Sequence, residues 1–162
     1  MSASFFMPTN NLLGAGAIDD AIKQIADLGF KKIFIVTEKP LSSLGHPQAI
    51  ADKLAAFNIS TSIFDETNPN PTVSNVNAGL TMLQQAGSDA VISLGGGSPH
   101  DCAKGIALLA TNGGKIEDYE GLDQSAKPSL PLIAINTTAG TASEMTRFTI
   151  ITDETRHVKV GV

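Results

Sequence analysis

The sequence predicts an α/β fold, a parallel β-sheet with helices on both faces. Short β-branched runs at residues 32–37, 60–64, 90–94 and 132–136 alternate with segments whose apolar residues recur at helical spacing. The strongest runs, Ile33-Phe34-Ile35-Val36 and Ala90-Val91-Ile92, are continuously apolar, as strands covered on two faces are. Strand followed by helix followed by strand requires right-handed crossovers, which makes the sheet parallel and places helices on each side.

Each element follows from its residues. Residues 15–28 put Ile18, Ile22, Ile25 and Leu28 on one helical face, and Gly29 ends that helix. Residues 32–37 are too short and too β-branched for a surface helix and read as a buried strand. Residues 47–57 align Ile50, Leu54 and Phe57 in a second helix. A strand at 60–64 then leads into the loop Asp65-Glu66-Thr67-Asn68-Pro69-Asn70-Pro71. Thr72 caps a helix that runs to Ala86, with Val73, Val76, Leu80 and Leu83 turned inward. The strand at 90–94 opens onto Gly95-Gly96-Gly97, and a helix through residue 110 begins with Ser98 as its cap and Pro99 in its first turn. After the strand at 132–136 the rhythm changes. Residues 147–152 and 157–162 are strand-like and flank Asp153-Glu154-Thr155-Arg156, a hairpin turn. At the other end, residues 4–13 form short apolar pieces around Pro8, expected as a small ribbon at the sheet edge.

Composition bounds the setting. A chain of 162 residues fits one domain, residues 1–162, and a domain of that size buries roughly 70% of its unfolded surface. Hydrophobic residues at 42% and charged residues at 17% describe a soluble protein. The net charge of −5, with no basic cluster larger than Lys31-Lys32, argues against a nucleic-acid partner. Cys102 is the single cysteine, so no internal disulfide forms, which suits a reducing cytoplasm. No run approaches the ~18 apolar residues of a membrane span, and the start lacks a signal-peptide pattern. The chain stops within a few residues of a strand-like run, which leads to the expectation of a fragment or truncated gene product.

In open parallel sheets, ligands sit at the carboxyl ends of the strands. Gly95-Gly96-Gly97-Ser98 lies at one such end, where backbone N–H groups are unscreened by Cβ atoms and a helix start adds its unpaired donors and its dipole. That combination cradles the diphosphate of a nucleotide. Glu38 follows another strand; a carboxylate there accepts hydrogen bonds from ribose hydroxyls and repels a 2′-phosphate, favouring NAD over NADP. The hydroxyls of Thr137, Thr138 and Thr141 face phosphate, ribose or adenine, and Asp101 in the first helical turn complements the dipole. Taken singly, each has a plainer reading: a packing turn, a solvated carboxylate, a self-satisfied turn, a helix-start charge. The loop matches neither G-x-G-x-x-G nor G-x-x-x-x-G-K-[ST]. Their common location carries the functional reading. His46, His100 and His157 are scattered and form no metal motif; His46 and His157 read as surface residues and His100 as a polar helix-start residue. Cys102 falls on an apolar helix face and reads as buried and inert.

Gly95-Gly96-Gly97-Ser98-Pro99-His100-Asp101-Cys102-Ala103-Lys104 and Asn136-Thr137-Thr138-Ala139-Gly140-Thr141-Ala142-Ser143-Glu144 together resemble the iron-containing (group III) alcohol dehydrogenase family. Ile35-Val36-Thr37-Glu38, Asn68-Pro69-Asn70-Pro71-Thr72, Ile116-Glu117-Asp118-Tyr119-Glu120-Gly121 and Thr152-Asp153-Glu154 match in the same order. The resemblance implies a Rossmann-like N-terminal domain of the dehydroquinate synthase type, with the C-terminal helical domain absent from this chain. It implies that Gly95, Gly96, Gly97 and Ser98 hold the diphosphate of NAD. Glu38 stands where an aspartate is usual, Asn70 lines the adenosine side and Asp101 the nicotinamide side. Thr137, Thr138 and Thr141 contact phosphates and adenine, and Thr149 and Lys159 add further cofactor contacts, Lys159 near the nicotinamide ribose.

In that family one aspartate and three histidines bind Fe2+ or another divalent metal, and they lie beyond the last residue of this chain. The resemblance therefore implies an NAD(H)-binding half that lacks the metal site and turnover. In a full-length enzyme it would serve the reversible oxidation of a primary alcohol or diol to an aldehyde or ketone. Two rivals stand beside this reading: an NAD-using lyase of the dehydroquinate synthase kind, and a non-catalytic remnant acting as an assembly or interaction module, as a homodimer or larger self-assembly.

Overall fold

The strand order β2-β1-β3-β4 fixes where a ligand can sit. In the computed structural model, which describes residues 10–162, a four-stranded parallel sheet is built from β1 (Lys32–Val36), β2 (Ser60–Phe64), β3 (Ala90–Gly95) and β4 (Leu132–Asn136). The chain leaves β1 toward one side to make β2, then crosses back past β1 to make β3. The crevice between the carboxyl ends of β1 and β3 is thus the topological switch point.

Alternation along the two central strands divides one sheet between two cores. Ile33 and Ile35 of β1 join Ala90, Ile92 and Leu94 of β3 on the face covered by α1 (Ala17–Asp27) and α3 (His46–Ala55). Phe34, Val36 and Val91 point the other way, toward α4 (Val73–Ala86) and α5 (Gly97–Asn112). The rings of Phe34 and Phe64 stack there at 6.3 Å. Helices α4 and α5 approach so closely that a Cβ on Gly79 would lie 2.3 Å from Ile106 Cδ1. Thr72 caps α4 as expected: its hydroxyl accepts from the Asn75 N–H, and the Asn75 side chain accepts from the Thr72 N–H in return.

Four details depart from the sequence reading. A short helix, α2 (Lys39–Ser43), follows β1 with Pro40 in its first turn. Ile18, Leu28 and Phe57 are exposed rather than inward: Leu28 and Phe57 fall beyond the last residues of α1 and α3, and Ile18 lies in the exposed first turn of α1. Helix α5 begins earlier than residue 99 and is capped by Gly96, not Ser98; the His100 N–H closes its first turn on the Gly96 carbonyl. The expected ribbon at 4–13 lies mostly outside the described residues, and residues 10–13 carry no strand.

The hairpin at the chain's end forms: β5 (Ile150–Asp153) pairs antiparallel with β6 (Val158–Gly161). It is fastened to the sheet layer through the Thr152 N–H, which donates to the Pro71 carbonyl at 2.8 Å. Asp153 secures the turn by accepting from the Thr155 and Arg156 N–H groups and from Arg156 Nε. Among the described residues no helix is long and apolar enough to cross a membrane.

Candidate functional site

The glycine loop at the switch point is packed too closely for larger residues to enter without shifts, most of all at Gly95. Gly95 has φ +147°, and a Cβ there would lie 2.6 Å from Pro99 Cγ. A Cβ on Gly96 would come within 3.1 Å of Thr138 Oγ1, and one on Gly97 within 3.3 Å of Thr141. The glycines therefore keep the loop pressed against the threonine-rich segment after β4, and the Thr137 N–H donates to the Gly95 carbonyl at 3.0 Å. Gly97 and Ser98 begin a helix of 16 residues, so their N–H groups sit at the positive end of its dipole.

A cleft of about 310 Å³ opens beside this loop. Six residues named from the sequence line it: Asn70, Gly97, Ser98, Asp101, Thr141 and Lys159. Three of them are already linked, since Lys159 Nζ donates to Asn70 Oδ1 at 2.8 Å and the Asn70 N–H donates to Ser98 Oγ at 3.2 Å. Ser98, displaced from the capping role, thus ties the loop after β2 to the start of α5.

The other named residues lie around the cleft rather than in it. Gly95 and Gly96 form the turn beneath it, and Thr137 and Thr138 are exposed on the far side of the loop. Glu38 is half-buried at the start of α2, across the switch point, where its backbone bridges to Glu66. Thr149 is turned inward, 3% exposed, with its hydroxyl donating to the Asp101 carbonyl at 2.7 Å. It is Thr146, absent from the sequence reading, whose side chain stands in the cleft wall. Thr149 reaches the site only through Asp101.

Around Asp101 the polar groups are committed to one another. Its carboxylate accepts from the Ser143 hydroxyl and from the Ile150 N–H at 3.2 Å. Lys104 Nζ lies 3.7 Å away, and burial pushes that ammonium's pKa down while Asp101 pulls it back up. The sequence does offer one trace of this pair, the i, i+3 spacing of Asp101 and Lys104.

His100 stands in the first turn of α5, as expected, and is fully buried there. Its Nε2–H donates to Asn136 Oδ1 at 2.5 Å, and its Nδ1 accepts from the Ser93 hydroxyl at 2.6 Å. Burial lowers its pKa, which keeps the ring neutral and both bonds intact. The imidazole therefore pins the first turn of α5 to β3 and to the end of β4. Thr37 makes a parallel tie, its hydroxyl donating to the Leu94 carbonyl at 2.9 Å. Cys102 is buried and its thiol pKa is pushed up to about 12 by desolvation, so it is not a nucleophile.

Loop, helix dipole and Lys159 together suit an anionic, phosphate-bearing group. The donor set for a metal is different: among the described residues no three His, Cys, Asp or Glu side chains form a cluster able to hold an ion. His46 and His157 are exposed and His100 is spent.

Residues 8–162 match the family model of iron-containing alcohol dehydrogenases. Alcohol dehydrogenase 4 of Schizosaccharomyces pombe is 55% identical over 160 residues, 99% of this chain and 38% of that protein. The NAD-dependent methanol dehydrogenase of Bacillus methanolicus is 40% identical over 98% of this chain and 42% of its own length. Among solved structures, a 1,3-propanediol oxidoreductase superposes with a TM-score of 0.95 at 37% identity, over 99% of this chain and 42% of that one. The chain thus spans about two-fifths of the length of the relatives it matches.

Proposed function

The chain belongs to the iron-containing alcohol dehydrogenase family, and from that premise we propose that it is the NAD(H)-binding part of an alcohol dehydrogenase. The observation that carries this reading is the glycine loop at the switch point, opening onto a cleft crossed by Lys159 and Asn70. Bound there, NAD would supply the acceptor of a hydride. The N–H groups of Gly97 and Ser98 receive the diphosphate, and the dipole of α5 stabilises its charge. Gly95 and Gly96 let the loop approach it, and Thr137, Thr138 and Thr141 contribute hydroxyls toward phosphate and adenine. Lys159 exchanges Asn70 for the nicotinamide ribose, and Asn70 turns to the adenosine half. Asp101, oriented by Ser143 and Thr149, borders the nicotinamide half, and Glu38 accepts from the adenosine ribose across the switch point.

The substrate class follows from relatives named for methanol and 1,3-propanediol: a primary alcohol or diol, interconverted with its aldehyde or ketone by the whole protein. The residues described here do not fit the family's iron, so we derive no step through a metal. The function we read from these 162 residues is NAD(H) binding. The buried single thiol, Cys102, supports a reducing cytoplasm as its setting.

Calorimetric titration with NADH tests this reading, with Gly97→Asp as the control. The substitution crowds Thr141 and places a carboxylate against the diphosphate, so affinity should fall by at least about tenfold, ~1.4 kcal/mol. A folded chain that fails to bind NADH, or that binds it equally well with Gly97→Asp, would overturn the assignment.

A further inference from the structure

Behind the cleft wall lies a largely covered lysine that does not itself line the cleft but bonds residues that do. Lys104 is 14% exposed at its side chain and faces a second cavity of about 350 Å³ on the far side of residues 143–149. Its ammonium donates to Ser143 Oγ at 3.2 Å, Thr146 Oγ1 at 3.0 Å and the Phe148 carbonyl at 2.8 Å, with Asp101 Oδ1 at 3.7 Å. A lysine has three N–H donors, and all three have acceptors on one short segment. That segment carries no strand and no helix. Its local backbone bonds are those of a turn, from Met145 and Thr146 to the Ala142 carbonyl. Yet it supplies Ser143, Thr146 and Phe148 to the cleft.

We propose that Lys104 is the positioning residue of this wall: through Ser143, Thr146 and Phe148 it sets the nicotinamide side of the cleft before a ligand arrives. The inference rests on the NAD reading above and deepens it. Three features separate this from a simple packing role. The acceptors converge on one ammonium from three residues of the segment. Ser143 is shared, donating to Asp101 while accepting from Lys104, so wall and carboxylate are set together. Among the described residues, no hydrogen bond or ion pair joins Lys104 to the glycine loop or to Glu38, which leaves the adenosine side independent of its polar bonds.

The test uses two probes on the 162-residue chain, NADH and ADP; ADP carries the adenosine and diphosphate but lacks the nicotinamide half. Lys104→Met should weaken NADH by at least about tenfold and leave ADP within about twofold. Lys104→Arg keeps the charge and several donors, and should restore NADH to within about threefold. Asp101 keeps its bonds from Ser143 and Ile150 in the Met variant, which favours folding. Should circular dichroism show that variant unfolded, Lys104→Gln is read in the same way. Equal losses for NADH and ADP, unchanged NADH affinity, or a chain unfolded by both substitutions would each sink the proposal. If the unaltered chain binds no NADH, the cofactor reading fails first and takes this inference with it, an outcome distinct from the others.

Discussion

The two sides of the switch point are built in opposite ways. On the α5 side, buried Ser93 and His100 bond to each other and to Asn136, and half-buried Asp101 and Lys104 share the buried Ser143. On the α2 side, Glu38 stands half-buried at a helix start, and its neighbours Lys39 and Asp65 form a surface pair at 2.7 Å. Buried polar groups of the first kind cost free energy whenever one partner is removed. Exposed ones of the second kind contribute little to stability. The lesson is a division of labour. Under the proposed function, the α5 side would hold a ligand on backbone donors that side-chain chemistry cannot easily change, and the α2 side would alter selectivity without endangering the fold.

The largest expected effect tests the rigid side. Gly95→Ala forces a side chain into φ +147° and against Pro99, and should cost about 2–4 kcal/mol of stability in urea denaturation. A loss below about 0.5 kcal/mol would mean that the turn relaxes freely, and the contrast between the sides would disappear.

Next comes the adaptable side. Glu38→Gln should relax the preference for NAD over NADP by about tenfold, ~1.4 kcal/mol in relative affinity, while stability stays within about 0.5 kcal/mol. Parallel titrations with NADH and NADPH check it. An unchanged ratio removes the role given to Glu38; a large loss of stability shows that the α2 side is not loosely built after all.

The smallest effect is a slope. Burial holds the His100 pKa below its ordinary 6.5, so the unfolded chain binds a proton more readily than the folded one. His100 thus contributes stability that is fully present above pH 6.5 and declines as pH falls below it. Denaturation midpoints of the wild type and His100→Gln, compared from pH 8 down to about pH 5, should converge toward the acid end. Parallel curves would assign the histidine no proton-linked part in the rigid side.

Much of this architecture was legible in the residues, and what was not has a physical pattern. Continuous apolar runs gave β1 and β3, Thr72 gave its cap, and Asp153-Glu154-Thr155-Arg156 gave the hairpin turn, because each is a local signal. The glycine loop is visible in the sequence, but the sequence points to Ser98 as the cap of its helix: Gly95 takes an unusual φ that lets Gly96 cap instead. Helix α2 left only a proline as its sign. The partners of His100 lie 7 and 36 residues away on two strands, and no periodicity announces them. The same holds for Lys104, whose acceptors lie 39 to 44 residues on in a segment with no repeat to follow. The same irregularity hides Thr146 from the sequence: in a turn, which hydroxyl faces the cleft is decided by distant contacts, and Thr149 enters only through the family resemblance.

The hairpin that carries Lys159 is tied down on three sides. Thr152 is bonded to Pro71, Ile150 to the Asp101 carboxylate, and the Gly121 N–H to the Gly161 carbonyl at 2.9 Å. Such a lip cannot fray one residue at a time. Its amides should exchange with deuterium together, in a single opening whose free energy is shared by both strands. A molecule that binds Lys159 only in the closed hairpin would then slow exchange as far away as Ile151.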